Sequence, residues 1–219
     1  MYSTLDNISG VSPTDSGFHV SFDHYYDNLS ARQCHNKPLP CKLVNGLNST
    51  TCVTQDIADE VYRLGNYEYS YMYRDDPRSL AASAASYGVW IGELTTHIRD
   101  NLNGTSDVIY RHNVAHDGSL SRLLSVLQLD EMVWPGMGSE VIFELYENEH
   151  IAVNSTAGLS DSGHYIRVLW KGQVLRSSNL SLGTMNLIPV ETLLAYFDGL
   201  VGVGASKVFG ECNGTINFP

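Results

Sequence analysis

The chain has 219 residues, of which 43% are hydrophobic, and it carries a formal net charge of −11. Such a chain is long enough for one sizeable α/β domain or two small ones with a real core. The acidic balance argues against nucleic acid as a partner, because phosphate backbones select basic surfaces. No apolar run approaches the about 18 residues of a membrane-spanning helix, which argues against a membrane partner.

Asn-x-Ser/Thr triplets, the acceptors of Asn-linked glycans, occur seven times. With 15 Asn and 35 Ser plus Thr, chance gives roughly two or three. The excess predicts a glycoprotein of the secretory pathway or extracellular space. The alternative is a cytosolic protein with Asn- and Ser-rich loops. The acceptors are Asn7, Asn28, Asn48, Asn103, Asn154, Asn179 and Asn213.

Four cysteines also fit an oxidising compartment: Cys34, Cys41, Cys52 and Cys212. They allow three disulfide pairings, among which the sequence does not choose. None forms a Cys-x-x-Cys pair, which argues against zinc. The N-terminal stretch "MYSTLDNISG" lacks the basic and apolar regions of a signal peptide. A secreted character without a signal peptide leads us to expect the C-terminal part of a longer protein.

The first quarter of the chain, residues 1–53, is rich in polar residues and shows little periodicity. We expect an irregular segment that a disulfide could staple, with short packed stretches at residues 18–22 and 25–29. Ile57, Val61 and Leu64 then follow helical spacing, and Gly65 predicts the end of a short helix. The stretch "NYEYSYMYRDDP" is interpreted as an aromatic loop rather than a ligand platform.

The strongest helix is predicted to begin with Asp76 as N-cap and Pro77 in its first turn, and to end near Asn103. Residues 107–110 predict a strand, and the helix after it, over residues 118–128, has one apolar stripe. Spacings of three and four define the core positions of these helices, which are Leu80, Ala84, Tyr87, Ile91, Leu94 and Ile98, then Leu120, Leu123, Leu124 and Leu127.

Two strands are predicted over residues 139–147 and 164–170, and a tight turn at Lys171 and Gly172 leads into a third. Pro189 predicts the start of a final helix, which the Gly-rich stretch "GVGAS" ends. This order of elements predicts an α/β fold with a mixed sheet, and not a regular doubly wound one.

His116 and Asp117 stand side by side where the predicted strand gives way to a helix. Such junctions are where α/β proteins place polar chemistry, and the backbone N–H groups of Gly118 and Ser119 in the first turn could bind an anion. His116 could bind phosphate as a cation, and Asp117 could act as a general acid. The pattern by itself favours a simpler reading, in which Asp117 caps the helix and His116 is a half-buried structural residue.

Other chemistries find less support. There is no His-Glu-x-x-His motif and no carboxylate set at metal spacing, so no metal is expected. His112 and His116 flank a junction, which makes a shared metal-binding face doubtful. A Gly-x-Ser-x-Gly elbow is absent, and "GVGAS" follows a helix rather than a strand, which is wrong for a phosphate-binding loop.

The stretch "NVAHDGSLSRLLSVLQL" resembles the His-Asp segment of the histidine acid phosphatases, the second branch of the histidine phosphatase superfamily. "WPGMGSEVIFELY", "YIRVLWKGQVLR" and "IPVETLLAYFDGLVG" are similar to the C-terminal half of that family, closest to secreted fungal members. The resemblance implies part of a three-layer α/β/α, phosphoglycerate mutase-like fold. Residues 1–53 would then belong to a helical cap, and residues 54–219 would form the C-terminal part of the phosphatase domain.

The resemblance also implies phosphomonoester hydrolysis through a phosphohistidine, without cofactor or metal. A nucleophilic histidine attacks phosphorus and an aspartic acid protonates the leaving group. His116 matches the family's second, phosphate-binding histidine, and Asp117 matches its proton donor. A phosphomonoester or inorganic phosphate would be the ligand.

One departure from the family is large. Its nucleophile lies in an Arg-His-Gly-x-Arg-x-Pro segment on the first strand, whereas Arg111 and His112 here are followed by Asn113, Val114 and Ala115. We therefore expect the nucleophile and first catalytic strand to lie outside this chain, in a missing N-terminal half of its own fold. The chain alone would be inactive, because nucleophile loss costs on the order of a millionfold. The alternative is a non-catalytic secreted glycoprotein, a truncated or degenerate relative that binds phosphorylated ligands.

Overall fold

The computed structural model describes residues 1–148 and 163–214, so the predicted glycan acceptor Asn154 lies outside the described residues. In this part of the chain there are seven α-helices, a two-stranded sheet and a four-stranded sheet. The mixed α/β class predicted from the sequence is confirmed. The chain divides into two compact units, one of residues 1–71 and one beginning at Met72.

The first unit contains α1 (Tyr2–Ser9), α2 (Asp23–Cys34), a hairpin of β1 (Cys41–Val44) and β2 (Leu47–Cys52), and α3 (Gln55–Ser70). The expectation of an irregular segment over residues 1–53 was therefore wrong. These elements are short, and helices of that length depend on tertiary packing more than on local propensity. Their shared core is formed by Leu5, Ile8, Phe22, Tyr25, Leu29, Val53, Ala58 and Val61.

The hairpin turns at Asn45 and Gly46, whose φ angles of 52° and 78° suit a two-residue turn between twisted strands. A disulfide joins Cys41 to Cys52, which face each other in the register of β1 and β2. This is one of the three pairings that the sequence allowed. Cys34 and Cys212 are free and exposed.

α3 continues through Gly65, where the sequence predicted its end. Thr54 caps the helix by accepting the Ile57 N–H at 3.3 Å. Gly65 is buried inside the helix and Tyr69 packs one turn further on, so tertiary packing overrides the glycine. The aromatic stretch is therefore not a loop, because its first half belongs to α3 and a π-helical turn, Tyr71–Asp75, follows.

The second unit contains α4 (Ser79–Leu102), α5 (Asp117–Val126), α6 (Val190–Val201) and α7 (Val208–Cys212). Asp76 accepts the Arg78 N–H at 2.8 Å, so it caps the chain entering α4, although the helix begins two residues later than predicted. The predicted apolar stripes of the three long helices meet in one core. Among the described residues, no helix has the length and hydropathy needed to cross a membrane.

The four-stranded sheet is built around β4 (His164–Trp170). β3 (Val141–Glu147) pairs antiparallel with it along its whole length, and β5 (Gln173–Val174) and β6 (Ile188–Pro189) also pair with it. The predicted turn at Lys171 and Gly172 is confirmed by φ angles of 49° and 72°. Ile166 and Val168 of β4 join the helices in the core, so this sheet and α4 to α6 bury one common face.

The strand predicted over residues 107–110 is not formed. Residues 105–116 have no regular secondary structure, and Ile109 and Tyr110 are 99% and 76% exposed. A strand needs a neighbour to satisfy its N–H and C=O groups, and none of the described strands pairs with this segment. The apolar run at residues 107–110, whose local pattern predicts a strand, is therefore exposed to solvent.

If the triplets carry glycans, we expect them on loops and on exposed ends of the chain. Asn7, Asn28, Asn48, Asn103 and Asn213 are exposed, and Asn179 is half-buried. However, three of the exposed acceptors lie within regular elements: Asn7 on α1, Asn28 on α2 and Asn48 on β2. The expectation of loops was wrong for these three.

Candidate functional site

His116 and Asp117 lie at the N-terminus of α5, where the exposed segment 105–116 ends. His116 is the N-cap residue, with extended φ and ψ angles of −85° and 162°, and Asp117 is the first helical residue. Both side chains are exposed. The apolar stripe of α5 fixes the helix in the second unit, because Leu123, Leu124 and Leu127 are anchored in the core.

Both carboxylate oxygens of Asp117 accept a hydrogen bond. The Gly118 N–H donates to Oδ1 at 2.6 Å, and the indole Nε1–H of Trp134 donates to Oδ2 at 2.8 Å. Trp134 is only 5% exposed, so the donor is held by packing. The carboxyl plane of an otherwise exposed aspartate is thereby fixed relative to the helix.

The backbone N–H groups predicted to bind an anion have partners inside the chain. The Gly118 N–H is bound to Asp117, and the carbonyl oxygen of His116 accepts the N–H groups of Ser119 at 3.1 Å and Leu120 at 3.0 Å. An anion at this helix end would compete with these contacts for Gly118 and Ser119. Their role as phosphate-binding groups stays a prediction.

A cationic side chain lies one turn into the helix. Arg122 donates from Nη1 to the Gly118 carbonyl at 2.7 Å and from Nε to Oγ of Ser86 at 3.1 Å. Its guanidinium carbon is 5.9 Å from the ring centre of Tyr73. A Cβ on residue 118 would lie 3.2 Å from Arg122 Nη1, so glycine at this position leaves room for the arginine beside the His-Asp pair.

The exposed segment also carries Arg111 and His112. The ring of His112 lies 6.1 Å from that of Tyr110, centre to centre, and both Arg111 and His112 are exposed. Within the described ranges, no group of three or more His, Cys, Asp or Glu side chains could hold a metal ion.

Sequence reasoning missed Trp134, Arg122 and Ser86 as neighbours of the pair. Arg122 carried a weak signal, because it follows Gly118 by four residues on a predicted helix. Trp134 stands 17 residues after Asp117 in the chain, and Ser86 lies on another helix. No spacing rule connects such positions, so only the tertiary structure shows these contacts.

No family model matches the sequence. The chain is 28% identical over 151 residues to 2-phosphoxylose phosphatase 1 of Xenopus tropicalis, an alignment that covers 67% of the chain and 26% of that protein. It is 29% identical over 123 residues to Counting factor 60 of Dictyostelium discoideum, which covers 56% of the chain and 26% of that protein.

These similarities establish a distant relation to a phosphatase. The aligned part of the chain spans about a quarter of the length of the curated relatives it matches.

Proposed function

We propose that this chain provides the C-terminal portion of a secreted phosphomonoesterase of the histidine acid phosphatase type. The observation that best supports this is the fixed, exposed carboxyl group of Asp117 next to His116 at a helix N-terminus, together with the distant relation to a phosphatase. Secretion is supported by the excess of glycan acceptors and by the disulfide between Cys41 and Cys52.

In this proposal Asp117 is the proton donor. A histidine supplied from outside the chain attacks phosphorus, the bond to the leaving oxygen breaks, and the Asp117 carboxyl proton moves to that oxygen. The hydrogen bond from Trp134 stabilises the carboxylate that remains. The same carboxylate then accepts a proton from the water that hydrolyses the phosphohistidine.

His116 contributes charge rather than a covalent bond. As an imidazolium it binds the phosphoryl oxygens and stabilises the negative charge that develops on them. The resemblance to the acid phosphatases implies an acidic optimum for the proposed activity. The substrate is a phosphomonoester, and the reaction takes place without a metal or organic cofactor.

The exposed segment 105–116 supports a larger fold. Ile109, Tyr110 and Val114 are 99%, 76% and 89% exposed, although each is a residue type that sheets normally bury. We place a strand of the N-terminal half beside this segment. That strand would bring the Arg-His-Gly-x-Arg-x-Pro nucleophile next to His116 and Asp117.

The test is hydrolysis of para-nitrophenyl phosphate at about pH 5 by the purified 219-residue chain, alone and joined to an N-terminal segment that carries the Arg-His-Gly-x-Arg-x-Pro motif. The chain alone should show no turnover, and the joined protein should be active.

In the joined protein, Asp117→Asn should slow hydrolysis of an alkyl phosphate on the order of 10²-fold or more. It should affect the activated aryl ester far less, because that leaving group needs little protonation. His116→Ala should weaken phosphate binding and turnover together.

Asp107→Asn provides the matched control, since Asp107 is an exposed carboxylate in the neighbouring segment. Turnover by the chain alone that disappears in both Asp117→Asn and His112→Ala would overturn the proposal and make the chain a self-sufficient enzyme. Phosphate binding without turnover in every joined protein would instead favour the non-catalytic alternative.

A further inference from the structure

The first unit contains a cavity of about 430 Å³, a size typical of small-molecule sites. Most of its lining is apolar, contributed by Leu5, Ile8, Phe18, Leu29, Leu43 and Val53. Polar side chains interrupt this lining, among them His24, Lys42 and two asparagines, Asn7 and Asn28. An occupant that matches this lining has apolar faces and many hydroxyl or amide groups at its edges.

Both asparagines on the cavity wall are glycan acceptors, since Asn7 precedes Ile8 and Ser9, and Asn28 precedes Leu29 and Ser30. Two of the seven acceptors in the chain thus converge on one cavity. A pyranose ring has the mixed character that the lining requires, with a C–H-rich face and polar edges. The chain itself can therefore carry a suitable occupant to this place.

We propose that an Asn-linked glycan on Asn28 occupies this cavity, with its first N-acetylglucosamine packed on His24 and Phe18. The sugar comes from a lipid-pyrophosphate-linked oligosaccharide of the secretory pathway. The Asn28 Nδ2 forms a bond to the anomeric carbon as the bond from that carbon to the pyrophosphate breaks, and the amide nitrogen loses one proton. The carbonyl oxygen of the amide is unchanged.

The direction of helical side chains supports Asn28 as the carrier. His24 and Asn28 are four residues apart on α2 and therefore share a face. Side chains on a helix lean towards its N-terminus, so a group on residue 28 lies over the turn that holds residue 24. The His24 ring is half exposed there and packs against the Phe18 ring at 4.5 Å between centres. The half-exposed His24 ring of this tilted pair offers an aromatic surface to the C–H face of the sugar.

Asn7 is the less suitable carrier. Its Oδ1 accepts a hydrogen bond from Lys42 Nζ at 2.7 Å, which ties the side chain to β1. A glycan there keeps this bond, because only the amide nitrogen is modified. The orientation of the Asn7 amide is therefore constrained by Lys42, whereas Asn28 shares a helix face with His24.

The experiment uses the whole chain secreted from eukaryotic cells behind a heterologous signal peptide, with glycans trimmed enzymatically to one N-acetylglucosamine per site. Site mapping should find Asn28 occupied. Asn28→Gln should lower the Tm of the first unit by about 4 °C, the shift that a loss of about 1 kcal/mol gives in a small domain. Asn103→Gln, an exposed acceptor in the second unit, should leave that Tm unchanged.

Contact with the aromatic pair is tested separately. In a His24→Ala background, Asn28→Gln should lose most of its effect, because contacting groups are coupled in a double-mutant cycle. Acylation of His24 by diethyl pyrocarbonate should be slower in the glycoform than in Asn28→Gln, with the exposed His35 as the internal reference. If His24→Ala does not fold, His24→Gln serves as the background of the double-mutant cycle, and the rate of His24 acylation in the unmutated glycoform provides the second measurement.

An unoccupied Asn28 would overturn the inference. A glycan on Asn28 that leaves the reactivity of His24 unchanged would also overturn it. The same holds if His24→Ala is coupled to Asn7→Gln and not to Asn28→Gln. None of these outcomes depends on phosphatase activity.

Discussion

Asp117 and Trp134 show how a surface carboxylate can be fixed by a buried donor. The indole N–H reaches Oδ2 at 2.8 Å from a side chain that is held by the core. A hydrogen bond to a charged group contributes about 1.5–3 kcal/mol, and solvent screening at an exposed carboxylate reduces that contribution. The net contribution to the stability of the second unit is therefore modest but measurable.

Trp134→Phe should lower the free energy of unfolding of the second unit by about 1–2 kcal/mol. Asp117→Ala should cost less, and the double variant should cost less than the sum of the two, because the same hydrogen bond is lost in each. Urea unfolding followed by circular dichroism measures all three. Strictly additive effects would show that the indole and the carboxylate are not coupled in solution.

A buried carboxylate lies in the first unit. Asp6 accepts hydrogen bonds from the hydroxyl of Tyr25 at 2.6 Å and from Nε2 of His19 at 2.8 Å. Burial opposes ionisation of Asp6, but these two donors outweigh it and lower the pKa of the carboxyl below its usual range. Burial and the bond to Asp6 raise the pKa of Tyr25 to about 12.

Tyr25→Phe should therefore destabilise the first unit by about 1.5–3 kcal/mol at neutral pH, since it removes a donor from a buried charge. A lowered carboxyl pKa adds stability above the unfolded value of about 3.9, and that stability is lost as the pH falls through the folded value. The difference between wild type and Tyr25→Phe should accordingly shrink below about pH 4.

Unfolding in urea at a series of pH values measures this difference. Tyr67→Phe is the control, because Tyr67 is largely exposed. A difference that stays constant down to about pH 2 would mean that the hydroxyl does not contact an ionised Asp6.

At the scale of elements, α4 depends on two glycines for its close approach to its neighbours. A Cβ on Gly88 would lie 2.5 Å from Cγ2 of Val208, and one on Gly92 would lie 2.9 Å from both Cβ and the backbone nitrogen of Ala205. The backbone of Ala205 cannot move aside easily, because its φ angle is +63° in a tight turn after α6.

Gly92→Ala should thus destabilise the second unit by about 1–3 kcal/mol, although alanine is the better helix former. Gly199→Ala in α6 is the matched control, because nothing lies within 4 Å of the added Cβ. It should stabilise the protein by up to about 1 kcal/mol through helix propensity. Thermal unfolding of the two variants distinguishes packing from propensity, and equal shifts in the same direction would contradict the packing argument.

At the scale of the whole molecule, the exposed segment 105–116 divides the ordered elements of the second unit. Exposed stretches without regular structure are preferred sites of proteolysis. Limited trypsin treatment should cut after Arg111, which is exposed within this segment, before it cuts inside α4 or α5. Mass spectrometry of early fragments identifies the site.

Joining the N-terminal segment of the proposed phosphatase should protect Arg111, because a strand paired there would remove it from the protease. Arg32 in α2 is the internal reference for general access to the chain. Unchanged cleavage at Arg111 in an active joined protein would mean that the joined N-terminal segment does not cover residues 105–116.

Local signals in the sequence were sufficient to predict most of the helices and strands of the second unit. Periodic apolar residues predicted α4, α5 and α6, largely apolar runs of strand length predicted β3 and β4, and the Lys171-Gly172 pair predicted the turn between β4 and β5. Each of these depends on residues within a few positions of one another, where a spacing of 3.6 or 2 residues defines the buried face. The placement of His116 and Asp117 at a helix N-terminus followed in the same way.

Tertiary contacts decided the rest. α1 and α2 form although their sequences are polar, because Leu5, Tyr25 and Leu29 share a core with α3, and α3 passes through Gly65 for the same reason.

Residues 107–110 fail to form a strand because strand pairing requires a neighbour from elsewhere in the fold. Trp134 reaches Asp117 across 17 positions of sequence. The sequence by itself determined which elements can form, whereas the contacts between distant residues determined where those elements end and which side chains surround the His-Asp pair.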